Sequence, residues 1–151
     1  MSFTTKIWIG MILIFLCIQV IQPNHNSSEE LLSTDISKVV ILPPNVYGIL
    51  KASCYDCHSN KTEYPWYSWI QPGASYMNYH IIKGKADLNF SDFGTYSKRK
   101  QAHKFQSIIE QVKNETMPIA VYTTIHKRAR LTTAEKNLLI DWAYSQITKD
   151  Y

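Results

Sequence analysis

The chain is poor in cysteine, and unevenly so. Cys17 lies in the apolar N-terminal stretch, Cys54 and Cys57 stand together, and none follows them. That scarcity excludes the disulfide framework that staples many small secreted domains. It also weighs against a structural zinc site, which takes four Cys/His ligands, often as two paired knuckles. A large excess of charge is missing as well: 16 Lys and Arg against 12 Asp and Glu give a formal net charge of +4, too weak to argue for nucleic acid. No segment carries the apolar–polar alternation of a half-buried strand, so the strand–helix–strand setting of a thioredoxin-type thiol pair is absent. There is no internal repeat and no low-complexity tract.

What the chain does have is Cys54-Tyr55-Asp56-Cys57-His58. Two cysteines two residues apart, followed at once by histidine, form the attachment signature of a c-type haem. The chemistry sets the spacing. Two thiols that add across the vinyl groups of one porphyrin edge must stand about one helical turn apart, and the adjacent imidazole then supplies an axial nitrogen to the iron. Cys54 and Cys57 are therefore the covalent haem attachments and His58 the proximal iron ligand, with one haem c as cofactor. A disulfide between Cys54 and Cys57 would close a tiny, strained loop.

A c-type haem implies export, and the N-terminus fits. Lys6 precedes an uncharged, mostly apolar run from Ile7 to Ile21. Residues 1–22 read as a signal peptide or an N-terminal membrane anchor. The run is short for a bilayer span, yet no small-x-small pair marks a cleavage site, which favours the anchor. Cys17 follows Leu16, too large for a lipobox, and reads as one more apolar residue. Residues 23–45 read as a tether, polar at Asn24–Glu30 and closed by Pro43-Pro44, with Val39–Leu42 extended against the domain. Residues 46–151 form the haem-binding domain.

Within that domain the periodicity is helical. Asn45 is placed to cap a helix from Val46, with Val46, Ile49 and Leu50 on one face leading into Cys54. Trp66, Tyr67 and Trp69 lie in a proline-bounded loop and are candidates for packing on the haem, core packing being the equal alternative. A short helix is expected from Ala74 to Lys83, stopped by Gly84. A longer one is expected from Ser97 to Asn114, with Ala102, Phe105, Ile108, Ile109 and Val112 on one face. Its basic start, Lys98-Arg99-Lys100 and Lys104, opposes the helix dipole and is read as a solvated face, a docking surface or a partner for haem propionates. Thr132-Thr133-Ala134-Glu135 has capping-box spacing and opens a last helix striped by Leu138, Leu139, Trp142, Ala143 and Ile147. The fold class is all-α, a small bundle of about four helices around one covalent haem.

The second axial ligand decides between electron transfer and catalysis. Candidates are Met77, His80, His103, Met117 and His126. Met117 leads because Pro118 fixes the backbone beside it and a thioether raises the reduction potential as a carrier requires. His80, in a helix with apolar neighbours, is the alternative distal ligand. His103 and His126 read as surface or supporting residues. An open sixth site is the remaining alternative.

Cys54-Tyr-Asp-Cys-His-Ser-Asn60, Tyr64-Pro-Trp-Tyr67, Leu88-Asn-Phe-Ser91, Met117-Pro118, Tyr122 with His126, and Glu135 through Trp142 together resemble the haem-binding domain family of bacterial monohaem c-type proteins. The order of haem motif, Met-Pro and terminal helix is more distantly similar to class I cytochromes c. The resemblance implies covalent haem on Cys54 and Cys57, His58 as proximal ligand, Met117 as distal ligand, and export. In such a bacterial setting the four N-x-S/T triplets, at Asn26, Asn60, Asn89 and Asn114, carry no glycans.

The function expected is single-electron transfer on the periplasmic side, with redox partner proteins met through Lys83, Lys85, Lys98 and Arg99, membrane attachment through the N-terminal segment, and no nucleic acid. The alternative is a peroxidase-like or gas-binding haem enzyme or sensor with a labile sixth ligand.

Overall fold

A computed structural model describes residues 1–28 and 30–148. Among the described residues there are eight α-helices: α1 (Phe3–Ile18), α2 (Ile36–Val39), α3 (Pro44–Ser53), α4 (Tyr55–His58), α5 (Gly73–Asp87), α6 (Lys98–Lys113), α7 (Ala120–Ile125) and α8 (Thr133–Thr148). Short 3-10 turns at Trp66–Trp69, Phe93–Thr95 and Lys127–Ala129 complete the set. The fold is all-α, and beyond residue 43 the long helices α3, α5, α6 and α8 are the expected bundle.

The apolar stripes explain the packing. Val46, Ile49 and Leu50 of α3 are buried, as are Phe105, Ile108, Ile109 and Val112 of α6, and Leu139, Trp142 and Ala143 of α8. These faces meet in one core with Ile36, Tyr55, Leu88, Phe90, Phe93 and Leu131. α6 and α8 form the most extensive helix pair, and Phe105 meets Trp142 edge to face at 5.4 Å between ring centres. Each such side chain, fully buried, stabilises the fold by roughly 1.5–3 kcal/mol.

Caps follow the chemistry in part. Thr132 and Glu135 form the reciprocal box: the Glu135 carboxylate accepts from the Thr132 amide at 2.8 Å, and the Glu135 amide donates to Thr132 Oγ1 at 3.2 Å. Ser97 Oγ caps α6 by accepting from the Lys100 amide. Asn45 does not cap α3. The helix begins two residues earlier than expected, at Pro44, because proline's fixed φ suits the first helical position.

The stretch read as a tether contributes to the domain. Asp35 and Ile36 are fully buried, Asp35 caps α2 through the Ser37 amide, and the Tyr55 hydroxyl donates to Asp35. Val39, Val40 and Leu42 pack on the core, and Trp142 Nε1 donates to the Ile41 carbonyl. The expected stop at Gly84 does not occur either: α5 continues to Asp87, because Gly84 serves a close approach rather than a helix end.

Candidate functional site

Cys54 ends α3 and opens α4, so the haem motif is itself a short helix following a sharp break, with Cys54 at φ −129°. The His58 amide donates to the Cys54 carbonyl at 3.0 Å, closing that turn. The turn brings Cys54, Cys57 and His58 to the walls of one cleft, made of three adjoining cavities.

The first cavity, about 390 Å³, is walled by Leu50, Cys54, His58, Leu88, Lys104 and Met117. A narrow middle one, about 80 Å³, joins Cys54, Cys57 and His58 to His80, Met117 and Pro118. The third, about 340 Å³ and nearly all apolar, runs from Cys57 between Tyr67, Tyr76, Met77, His80, Ile119 and Ile125. Sizes of a few hundred Å³ with apolar walls are those of cofactor sites.

His58 is oriented by the chain around Leu88. Its Nδ1 lies 2.9 Å from the Leu88 carbonyl oxygen. A carbonyl only accepts, so Nδ1 carries the proton and Nε2 keeps its lone pair. Burial, the largest influence, holds the His58 pKa below its ordinary value, which keeps the imidazole neutral and able to ligate a metal. The Leu88 carbonyl is in turn fixed by Asn89, a buried side chain bonded to Asn60 at 2.9 Å and Asp92 at 2.5 Å, and by the Phe90 amide donating to the His58 carbonyl at 2.7 Å.

The two thiols are free. Burial pushes Cys54 up to about 12 and Cys57 up to about 11. They are neutral thiols near neutral pH, the wrong form for thiol–disulfide exchange, which needs the thiolate. Among the described residues, no group of three or more His, Cys, Asp or Glu side chains could hold a metal ion by itself.

Asp56, the inner residue of the motif, ties it down. Its carboxylate accepts from the Tyr122 hydroxyl at 2.5 Å and from the Glu63 amide at 2.9 Å. The Tyr122 ring stacks on His126 at 4.2 Å, and His126 Nε2 meets the Tyr67 hydroxyl at 2.5 Å. Burial, then the Asp56 hydrogen bond, raises the Tyr122 pKa, so it stays a donor. His126 thus stands behind the cleft wall as a supporting residue.

Of the residues singled out from the sequence, Cys54, Cys57, His58, Met117, His80 and Tyr67 meet at the cleft. Trp66 and Trp69 line none of its three cavities. They are 76% and 56% exposed, and Trp69 packs edge-on against His25 at 4.0 Å. Lys104 from the basic start of α6 reaches the His58 cavity, Lys100 covers the Tyr96 ring at 4.2 Å, and Lys85 bonds Asn26 at 2.6 Å. Asp56, Asn89, Leu88 and Gly84 escaped the sequence reading as parts of the site, because their roles depend on contacts between distant segments. The position of Asp56 inside the motif and the Leu88-Asn-Phe-Ser91 stretch of the family resemblance were the signals that marked three of them.

The donor set fits a haem: one neutral imidazole with a free nitrogen, two thiols a turn apart, and apolar walls on either side. This is the site of a haem-binding protein. The chain belongs to the haem-binding domain family, whose model matches residues 13–145. No curated protein and no solved structure matches it.

Proposed function

We propose that this protein is a monohaem c-type cytochrome that carries single electrons on the periplasmic side of the inner membrane, anchored there by its N-terminal segment. The observation that carries the reading is the orientation of His58: Nδ1 is spent on the Leu88 carbonyl, and Nε2 is left for iron beside two thiols. Cys54 and Cys57 would hold the haem covalently, each thiol adding S–H across one vinyl double bond, with sulfur on one carbon and hydrogen on its neighbour. The bound haem would supply a one-electron iron couple. His58 and Met117, which line the same cavity, would both hold the iron. Lys104 would pair with a propionate. The buried apolar walls at Leu50 and Leu88 would keep water from the centre, which would lower the reorganisation that each electron transfer requires.

A second reading is a haem enzyme or sensor with a labile sixth site. It draws on His80, which faces both the middle and the large apolar cavities and could serve as an acid/base group.

Optical spectra of the purified holoprotein test both. A c-type pyridine haemochrome, resistant to acid extraction and lost in Cys54→Ala/Cys57→Ala, is expected. So is a sulfur-to-iron charge-transfer band that disappears in Met117→Ala. An extractable haem would reject covalent attachment, and a band retained in Met117→Ala would reject that ligand. Rapid carbon monoxide binding by the ferrous protein would replace the carrier reading with the second one.

A further inference from the structure

Several stretches of this chain carry no Asp, Glu, Lys or Arg, and three of them, residues 7–28, 64–82 and 116–125, bear on one another, in a protein of which 19% is charged. The fold brings them together. The first takes in α1 from Ile7 to its end, and α1 has no buried residue; Trp8 is 62% exposed and Ile14 65%. At 1.5 Å per residue it is about 24 Å long, and no described helix is long and apolar enough to cross a membrane.

The end of α1 is bonded to the second stretch. Gln19 Oε1 accepts from the Gln71 amide at 2.9 Å, Gln71 Nε2 donates to the Ile21 carbonyl at 2.5 Å, and Gln22 Nε2 donates to the Trp69 carbonyl at 3.3 Å. Gln71 is itself buried, at 4% exposure. Beside this clamp Trp66, Trp69 and Ile70 face outward. The mouth of the large apolar cavity follows, where Tyr76 of the second stretch meets Val121 and Ile125 of the third; each is about half exposed.

We propose that this uncharged face, from Trp66, Trp69 and Ile70 to the cavity mouth at Tyr76, Val121 and Ile125, docks on the lipid bilayer, held in that pose by the Gln19–Gln71 clamp. The inference rests on reading α1 as the membrane anchor and goes further, to how the domain sits. The occupant follows from continuity: the apolar helix leads directly into the face and is bonded to it, so a bilayer that takes up one meets the other. Tryptophan and tyrosine beside the clamp are the side chains favoured at a membrane interface. Trp66, Trp69, Ile70, Tyr76, Val121 and Ile125 are all exposed large hydrophobic side chains, and exposed apolar patches mark protein or membrane interaction sites. The cleft then opens toward the bilayer, and the electron partner lies in or on the membrane.

Photolabelling tests this. The full-length holoprotein, bound to phosphatidylcholine–phosphatidylglycerol vesicles, is irradiated with a lipid-soluble carbene precursor, and adducts are mapped by mass spectrometry. Adducts are expected on α1, on residues 66–70 and at Val121 or Ile125. In Gln19→Ala, with an unchanged haem spectrum, the adducts beyond α1 should be lost while those on α1 remain. Wild-type adducts confined to α1 would overturn the docked pose and leave the anchor standing, with the face open to a protein partner. No adducts, with the protein free of the vesicles, would overturn the anchor itself. Domain adducts retained in Gln19→Ala would overturn the clamp.

Discussion

Gly84 of α5 rests against the carbonyl of Cys57: a Cβ at position 84 would lie 2.5 Å from that oxygen and 3.1 Å from its carbon. The contact sets the distance between α5, which carries Met77 and His80, and the helix of the haem motif. Both partners at this contact are backbone, so neither can yield as a flexible side chain would.

Gly84→Ala is therefore expected to push α5 away from the motif. The overlap should cost about 1–3 kcal/mol, more than alanine's gain of roughly 0.5–1 kcal/mol in a helix interior. Denaturant unfolding checks the sign; a variant as stable as the wild type would show that the two helices are free to separate.

Asn89→Ala removes the side chain that holds the Leu88–Ser91 connection. Asn60 and Asp92 lose their shared donor, and the Ser91 amide loses Asn89 Oδ1 at 3.1 Å. Leaving such groups unpaired costs about 1–3 kcal/mol. The Leu88 carbonyl should loosen with them, and with it the orientation of His58. The expected signature is a shifted reduction potential alongside the lower melting temperature, since groups behind a ligand tune the metal. A drop in stability with an unmoved potential would confine Asn89 to a packing role.

Tyr122→Phe keeps the ring on His126 and deletes the hydroxyl that Asp56 accepts. A hydrogen bond to a charged acceptor contributes about 1.5–3 kcal/mol. Asp56 still accepts from the Glu63 amide, so the loss should fall at the lower end. Chemical denaturation of wild type and variant measures it. Asp56→Asn in the Tyr122→Phe background should add little, as the two share one interaction.

Glu135 has its pKa held below the ordinary 4.5, chiefly by the Thr132 amide and then by the Thr132 hydroxyl. A carboxylate with a depressed folded-state pKa stabilises the fold above its unfolded pKa, and that contribution disappears as pH falls through the folded value. The loss should therefore be confined to pH below about 4.5, the ordinary value. Glu135→Gln keeps the box geometry and should flatten this part of the stability–pH curve. Thr132→Ala should cost about 1 kcal/mol at neutral pH. Melting curves at several pH values distinguish the two.

The helices were largely legible from local pattern. The stripes on α3, α6 and α8 and the Thr132–Glu135 box depend on neighbours a turn apart, which any reading of the chain can see. Ile36 was not legible as core, because its partners lie in segments far along the chain and its own surroundings are polar. Gly84 looked like a helix stop for the same reason: a glycine that ends a helix and one that admits a neighbour's backbone are identical in sequence.

By itself the sequence pointed to haem binding, through two thiols and an imidazole within five residues, and it determined the all-helical class, since periodicity is local. The tertiary structure decided the rest. It turned the tautomer of His58 through the carbonyl of Leu88 and brought Met117 and His80 to the same cleft. It also tied the end of α1 to Gln71, 52 residues along the chain. Those outcomes depend on pairs of groups dozens of residues apart, and only the folded chain brings them within bonding distance.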